Sequence, residues 1–155
     1  MKIRNESEIF TPEGIAKIEE MKDCKFVCET CISENNEWVD SSVAIFYSKT
    51  PHPVSNSNYF GVYVLPKPLF NTSDEDQIMI TSAQTAVGET ITGIIADDGD
   101  IIYSRYRHDY RVSDDGSVFI DGGRDYVHTG AYPKEAFVKM VIEGGELKIQ
   151  NKEEE

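Results

Sequence analysis

Residues 104–126 read SRYRHDYRVSDDGSVFIDGGRDY and hold four of the five arginines in a 155-residue chain of formal net charge −13. A guanidinium suits sites where a planar fork grips a carboxylate or phosphate in a fixed direction. If residues 105–111 run as a strand, alternation sends Arg105, Arg107, Asp109 and Arg111 to one face and Tyr106, His108 and Tyr110 to the other. One face is then cationic. Arg124 in the next loop can join it, while Tyr103, Tyr106, Tyr110 and Tyr126 offer rings that stack on a base or pack at an interface. A second reading uses the same residues. Residues 97–125 carry eight aspartates, so the stretch is net negative and its arginines can be paired internally.

The FIDGGRDY loop adds backbone chemistry, because adjacent glycines permit positive φ and the close approach of another backbone or a ligand. Asp121, Gly122 and Gly123 form either a tight turn or a small anion-binding concavity of N–H groups. The pair lacks the further glycines of a phosphate-binding or dinucleotide loop. For catalysis, Ser104, His108 and Asp109 have suitable types, but neighbours on a strand point to opposite faces. His128-Thr129 resembles half of a paired His-x-Thr phosphodiesterase signature without its intervening residue, and no second copy exists. No catalytic residue is assigned. Cys28-x-x-Cys31, with Cys24 and His52, invites a zinc or redox reading, yet a structural zinc site shows two clean pairs and only one is present. No metal and no cofactor is expected.

SRYRHDY followed by DGGRDY resembles a small uncharacterised domain of phage and bacterial proteins written around R-H-D-[FY] and D-G-G-x-D-Y-x-R. Two cysteine knuckles in that domain imply a zinc-ribbon-like pair of hairpins. The corresponding positions are Ile95 and Asp98, then Ser113 and Asp115, so the resemblance implies hairpins whose metal-binding cysteines are absent here. Its last arginine position holds His128. The likeness spans residues 95–128 and implies a phage or mobile-element origin.

These residues need elements to hold them. TPEGIAKIEEMKD starts a helix, with Thr11 as cap, Pro12 in the first turn and Ile15, Ile18 and Met21 at helical spacing. Thereafter SSVAIFYS, YFGVYVL, QIMITSA and TITGIIA read as strands, separated by KTPHPVSNSN and PKPLFNTSDED. Two-residue hairpin loops are expected at Asp98-Gly99, Asp115-Gly116 and Gly144-Gly145. The last places Ile142 opposite Leu147 and Met140 opposite Ile149. The similarity of the first two hairpins is assigned to shared turn chemistry.

The expected fold is α+β, predominantly antiparallel β with hairpins and one N-terminal helix, as a single globular domain over residues 1–150 with an acidic tail at 151–155. No secretory leader or apolar span of about 20 residues is present, which predicts no membrane partner and a cytoplasmic location, that of the host if the chain is phage-encoded. The acidic excess disfavours direct nucleic-acid binding. The leading functional expectation is a non-catalytic phage-type binding protein, used in host takeover or counter-defence, that sequesters an anionic, nucleotide-like small molecule through its arginines. The alternatives are an acidic interface inhibitor of a host protein and a phosphodiesterase or nuclease using His108 or His128.

Overall fold

Thr11 and Pro12 begin a helix for the reason their chemistry suggests. Thr11 is extended and its hydroxyl accepts the Gly14 N–H at 3.1 Å, while Pro12 occupies a position that needs no donor. The structure is a computed structural model that describes residues 2–4, 7, 10–34, 37–38, 42–51, 53, 56–64, 78–83, 87–123, 128–129 and 136–150. Helix α1 (Pro12–Lys22) ends at Asp23, which turns left-handed with φ 53° and donates its N–H to Glu19. The expected loop PKPLFNTSDED, the residues His52, Arg124 and Tyr126, and the tail 151–155 lie outside the described residues.

The fold is α+β and predominantly antiparallel, with hairpins and this N-terminal helix. A five-stranded sheet has the order β1 (Lys2–Ile3), β9 (Asp100–Ile102), β8 (Ile91–Ile95), β13 (Phe137–Glu143), β14 (Glu146–Ile149). A four-stranded antiparallel sheet runs β2 (Cys24–Thr30), β5 (Val43–Ser48), β6 (Tyr59–Val64), β7 (Ile78–Ser82). Three short strands, β10 (Arg111–Val112), β11 (Phe119–Asp121) and β12 (His128–Thr129), form a third sheet, and β3 (Ser33–Glu34) pairs with β4 (Glu37–Trp38). The β1–β9 pair is parallel.

Strand alternation sorts the apolar residues into three cores. Val43 and Ile45 join Ile91, Ile101, Met140 and Ile142 in the core that unites the two large sheets. Ala44 and Phe46, on the other face of β5, meet Phe10 and Ile18 beneath the helix. Ile94 and Ile102 face outward from the five-stranded sheet to meet Val118 and Ile120 of the third sheet's hairpin. Helix, sheet, sheet and hairpin therefore stack as successive layers.

Hairpin geometry matches expectation at one end and departs from it at two others. Gly144-Gly145 is a two-residue loop with φ 63° and 79°, and Ile142 pairs with Leu147 and Met140 with Ile149. At Asp98-Gly99 the pairing closes one residue earlier: Ala96 N–H donates to Asp100, so residues 97–99 form the loop and Gly99 takes the positive φ. At Asp115-Gly116, Ser113 N–H donates to Val118 and the loop is 114–117. These two loops differ in length and lie in different sheets, consistent with shared turn chemistry rather than a repeat. The expected strand over 105–111 is also corrected. Residues 106–108 turn, Asp109 N–H donates to Tyr106, and only Arg111 and Val112 are strand.

Candidate functional site

The turn at 104–109 is closed by its own polar side chains. The Ser104 hydroxyl donates to the Asp109 carbonyl at 2.7 Å, and the Asp109 carboxylate accepts the Arg105 N–H at 2.8 Å. Such local bonds give the backbone an alternative to a strand ladder. The Asp121-Gly122-Gly123 turn docks on this one: Gly123 N–H donates to Ser104 Oγ at 2.9 Å and Gly122 N–H to its neighbour Asp121 at 2.8 Å. Gly123 has φ 60°, and a Cβ there would lie 2.5 Å from the Tyr106 carbonyl carbon. The glycines thus allow two backbones to touch, and both N–H groups are engaged within the protein.

The turn changes where the arginines go. Arg105 is 3 % exposed and its Nε lies 3.1 Å from the carboxylate of Glu29, which has no exposed surface at all. Glu29 also accepts from Ser42 Oγ at 2.9 Å, and its backbone carbonyl accepts from the Tyr103 hydroxyl at 2.9 Å. A β-bulge shifts the β2–β5 register between Phe26 and Cys28, just before Glu29. The Arg105 guanidinium carbon is also 5.6 Å from the Tyr103 ring centre. Burial, followed by the charges of Cys28 and Glu29, pushes the Tyr103 phenol well above its ordinary value, against the lowering influence of Arg105. A polar cluster therefore bridges the two large sheets.

Arg111 leaves β10 with its Nε 3.0 Å from the Asp109 carboxylate, so Asp109 serves the turn and the strand together. Arg4 arrives from the other end of the chain. Parallel pairing of β1 with β9 brings its guanidinium to 2.6 Å from Asp114 and 3.7 Å from Asp100. Arg4, Arg105 and Arg111, with Ile102, Tyr103, Val112 and Asp114, line one cavity of about 280 Å³. Among the described residues its lining thus carries three guanidinium groups and one carboxylate. No family model, curated protein or solved structure matches the chain.

The resemblance drawn from SRYRHDY and DGGRDY is therefore corrected. No family model supports it, and describing the chain as a member whose cysteines are absent is wrong. Cys24, Cys28 and Cys31 are present, two of them buried, in and just after β2. The hairpins at the matched positions are held by other chemistry. Asp98 N–H donates to Asp115 and Asp97 N–H to Ser117 Oγ, both at 2.9 Å, which ties the two Asp-Asp-Gly turns side by side. Bonds from Ser113 and Ser117 lower the Asp115 carboxyl to about 2.

The remaining candidates scatter. Arg107 is half-buried and His108 exposed within the turn, Tyr106 is half-buried, and Tyr110 is exposed with its ring 5.4 Å from that of Phe119. Asp121 pairs with His128 across β11 and β12. Arg105, Arg111 and the cavity come together; Arg107, His108 and Tyr110 are not among its lining. Sequence reasoning missed Glu29, Asp114 and Arg4. Glu29 had a signal, a lone carboxylate inside the otherwise uncharged and mostly apolar FVCETC run. Among the described residues no group of three His, Cys, Asp or Glu is placed to hold a metal, and no helix is long and apolar enough to cross a membrane.

Proposed function

We propose that this chain is a non-catalytic binding protein that sequesters a small anionic, nucleotide-like ligand at the cavity of Arg4, Arg105 and Arg111. The observation that carries this reading is the convergence of three of the five arginines of an acidic chain on one cavity whose lining, among the described residues, holds a single carboxylate. Burial strengthens what Arg105 offers, and the partial enclosure of Arg4 and Arg111 does so less, since a charge-assisted hydrogen bond away from bulk water is stronger than one in it. Glu29 and Asp109 hold Arg105 and Arg111 in place from outside the lining, as partners that orient a fork toward its ligand. At about 280 Å³ the cavity is just below the range of roughly 300–1,000 Å³ typical for enclosing a whole organic ligand. It suits a phosphate-bearing end, with the rest of the ligand outside. A phage setting falls away with the motif resemblance that suggested it.

The test is isothermal titration of orthophosphate, AMP and ATP into wild type, Arg4→Gln and Arg111→Gln. Arg105 is left alone because its loss would strand a buried carboxylate. Binding that weakens about tenfold in each variant and fades with added salt supports the reading, in line with loss of a charged hydrogen bond of about 1.5 kcal/mol. Wild type that takes up none of the three anions ends it.

A second reading, an acidic interface that attracts a basic partner protein, is favoured by a different observation. Tyr110 and Val112 are 59 % and 48 % exposed on a chain of net charge −13, and Val112 pairs with Phe119 beside them. Capture of a basic protein partner that is lost in Tyr110→Ser, a change outside the cavity lining, while phosphate binding is unchanged separates it from the first.

A further inference from the structure

Asp114 is the odd member of the cavity. Among the described residues it is the carboxylate in a lining that otherwise offers three guanidinium groups, its side chain is 70 % exposed, and it reaches Arg4 at 2.6 Å, closer than Asp100 at 3.7 Å. The buried partners differ in kind. Glu29 and Asp109 are almost wholly enclosed, and removing Glu29 strands the Arg105 guanidinium in the interior. Asp114 can rotate into solvent at small cost because it stands on the 114–117 loop with water on most of its surface.

We infer that Asp114 is a built-in competitor: its carboxylate occupies, at the mouth of the cavity, the place that a phosphate group takes on binding, so that ligand uptake is an exchange of one anion for another on Arg4. This rests on the anion-binding reading above and adds to it both a ligand class and a control. The class is a compact phosphate group, because an exchange on one guanidinium edge favours an oxyanion that matches the two-oxygen face of a carboxylate. The control is the loop itself, since whatever fixes Asp114 outward raises affinity without touching an arginine.

Asp100 provides the internal comparison. Its carboxylate lies 3.7 Å from the same Arg4 guanidinium but is not part of the cavity lining. Asp114→Asn and Asp100→Asn each remove one negative charge near Arg4, and only the first removes a carboxylate from the lining. The experiment is isothermal titration of orthophosphate, AMP and ATP into wild type and both variants, with a thermal melt of each. Asp114→Asn is expected to bind about two- to fivefold tighter, the range set by the worth of an exposed ion pair, with Asp100→Asn clearly less affected. Tighter binding with an unchanged or lower melting temperature supports the exchange, since a merely structural latch would lower the melting temperature and leave affinity alone. Wild type that binds while Asp114→Asn binds no better, or two variants that tighten equally, overturns the competitor and leaves the cavity reading intact. No uptake by wild type or by Asp114→Asn overturns both.

Discussion

Glu29 decides what Arg105 is for. A carboxylate with no exposed surface and a guanidinium 3 % exposed, 3.1 Å apart, must be paired, because each alone would carry a desolvation cost of several kcal/mol. The pair joins β2 of one large sheet to the segment after β9 of the other. Losing one partner through Glu29→Leu or Arg105→Met is expected to destabilise the protein by about 3–5 kcal/mol. The double variant should be more stable than either single one, because two matched apolar groups leave no stranded charge. Urea denaturation of the four proteins measures this, and additive losses would refute the pairing. Of the two residues only Arg105 stood out in the sequence, and its orientation did not. Alternation along a continuous strand placed it beside Arg107 and Arg111, whereas Ser104 and Asp109 close a turn that sends it inward.

Elements show where local chemistry is legible and where it is not. Gly144-Gly145 fixes a hairpin register because both positions take positive φ, which leaves a two-residue loop and one pairing. Asp98-Gly99 and Asp115-Gly116 are less informative, since a single glycine at positive φ serves loops of three or four residues equally well. The docking of the 121–123 turn on the 104–109 turn leaves a sharper signature. Gly99 and Gly123 both have positive φ, but a Cβ at Gly99 meets nothing within 4 Å and one at Gly123 meets the Tyr106 backbone at 2.5 Å. Gly99→Ala is expected to cost about 1–2 kcal/mol from the left-handed conformation alone. Gly123→Ala adds a backbone clash and should cost about 3 kcal/mol or more. Comparable melting temperatures for the two variants would show that the turns do not depend on that contact.

At the scale of the whole molecule, long-range contacts assemble the cavity, which is why its composition could not be read locally. Arg4 and Asp114 are 110 residues apart, and Tyr103 and Glu29 are 74 apart. The β1–β9 pairing has only two residues on each strand and leaves no periodic trace in the sequence. The layered core also sets a pH limit. Because burial raises the folded-state value of Tyr103, its phenol stays protonated in the fold while the unfolded chain ionises above about pH 10. Its contribution is whole below that pH and is lost as pH rises through the folded value. From pH 10 upward stability should therefore fall by as much as about 1.4 kcal/mol per pH unit. Tyr103→Phe is expected to lose about 1 kcal/mol at neutral pH through the missing bond to Glu29 and to fall less steeply in alkali. Parallel urea titrations at pH 8 and pH 11 compare the slopes, and identical slopes would remove Tyr103 as the cause.

The two-residue lap of β1 on β9 stands at the outer margin of its sheet, and among the described residues Arg4 meets Ile101 through its N–H bond and Asp100 and Asp114 through its side chain. A joint this short unzips at far smaller cost than the layered body, so its amides exchange with solvent deuterium well ahead of those in β8 and β13. If the cavity takes the proposed anion, its capture and release would proceed through fraying of a single margin, on a timescale independent of global unfolding.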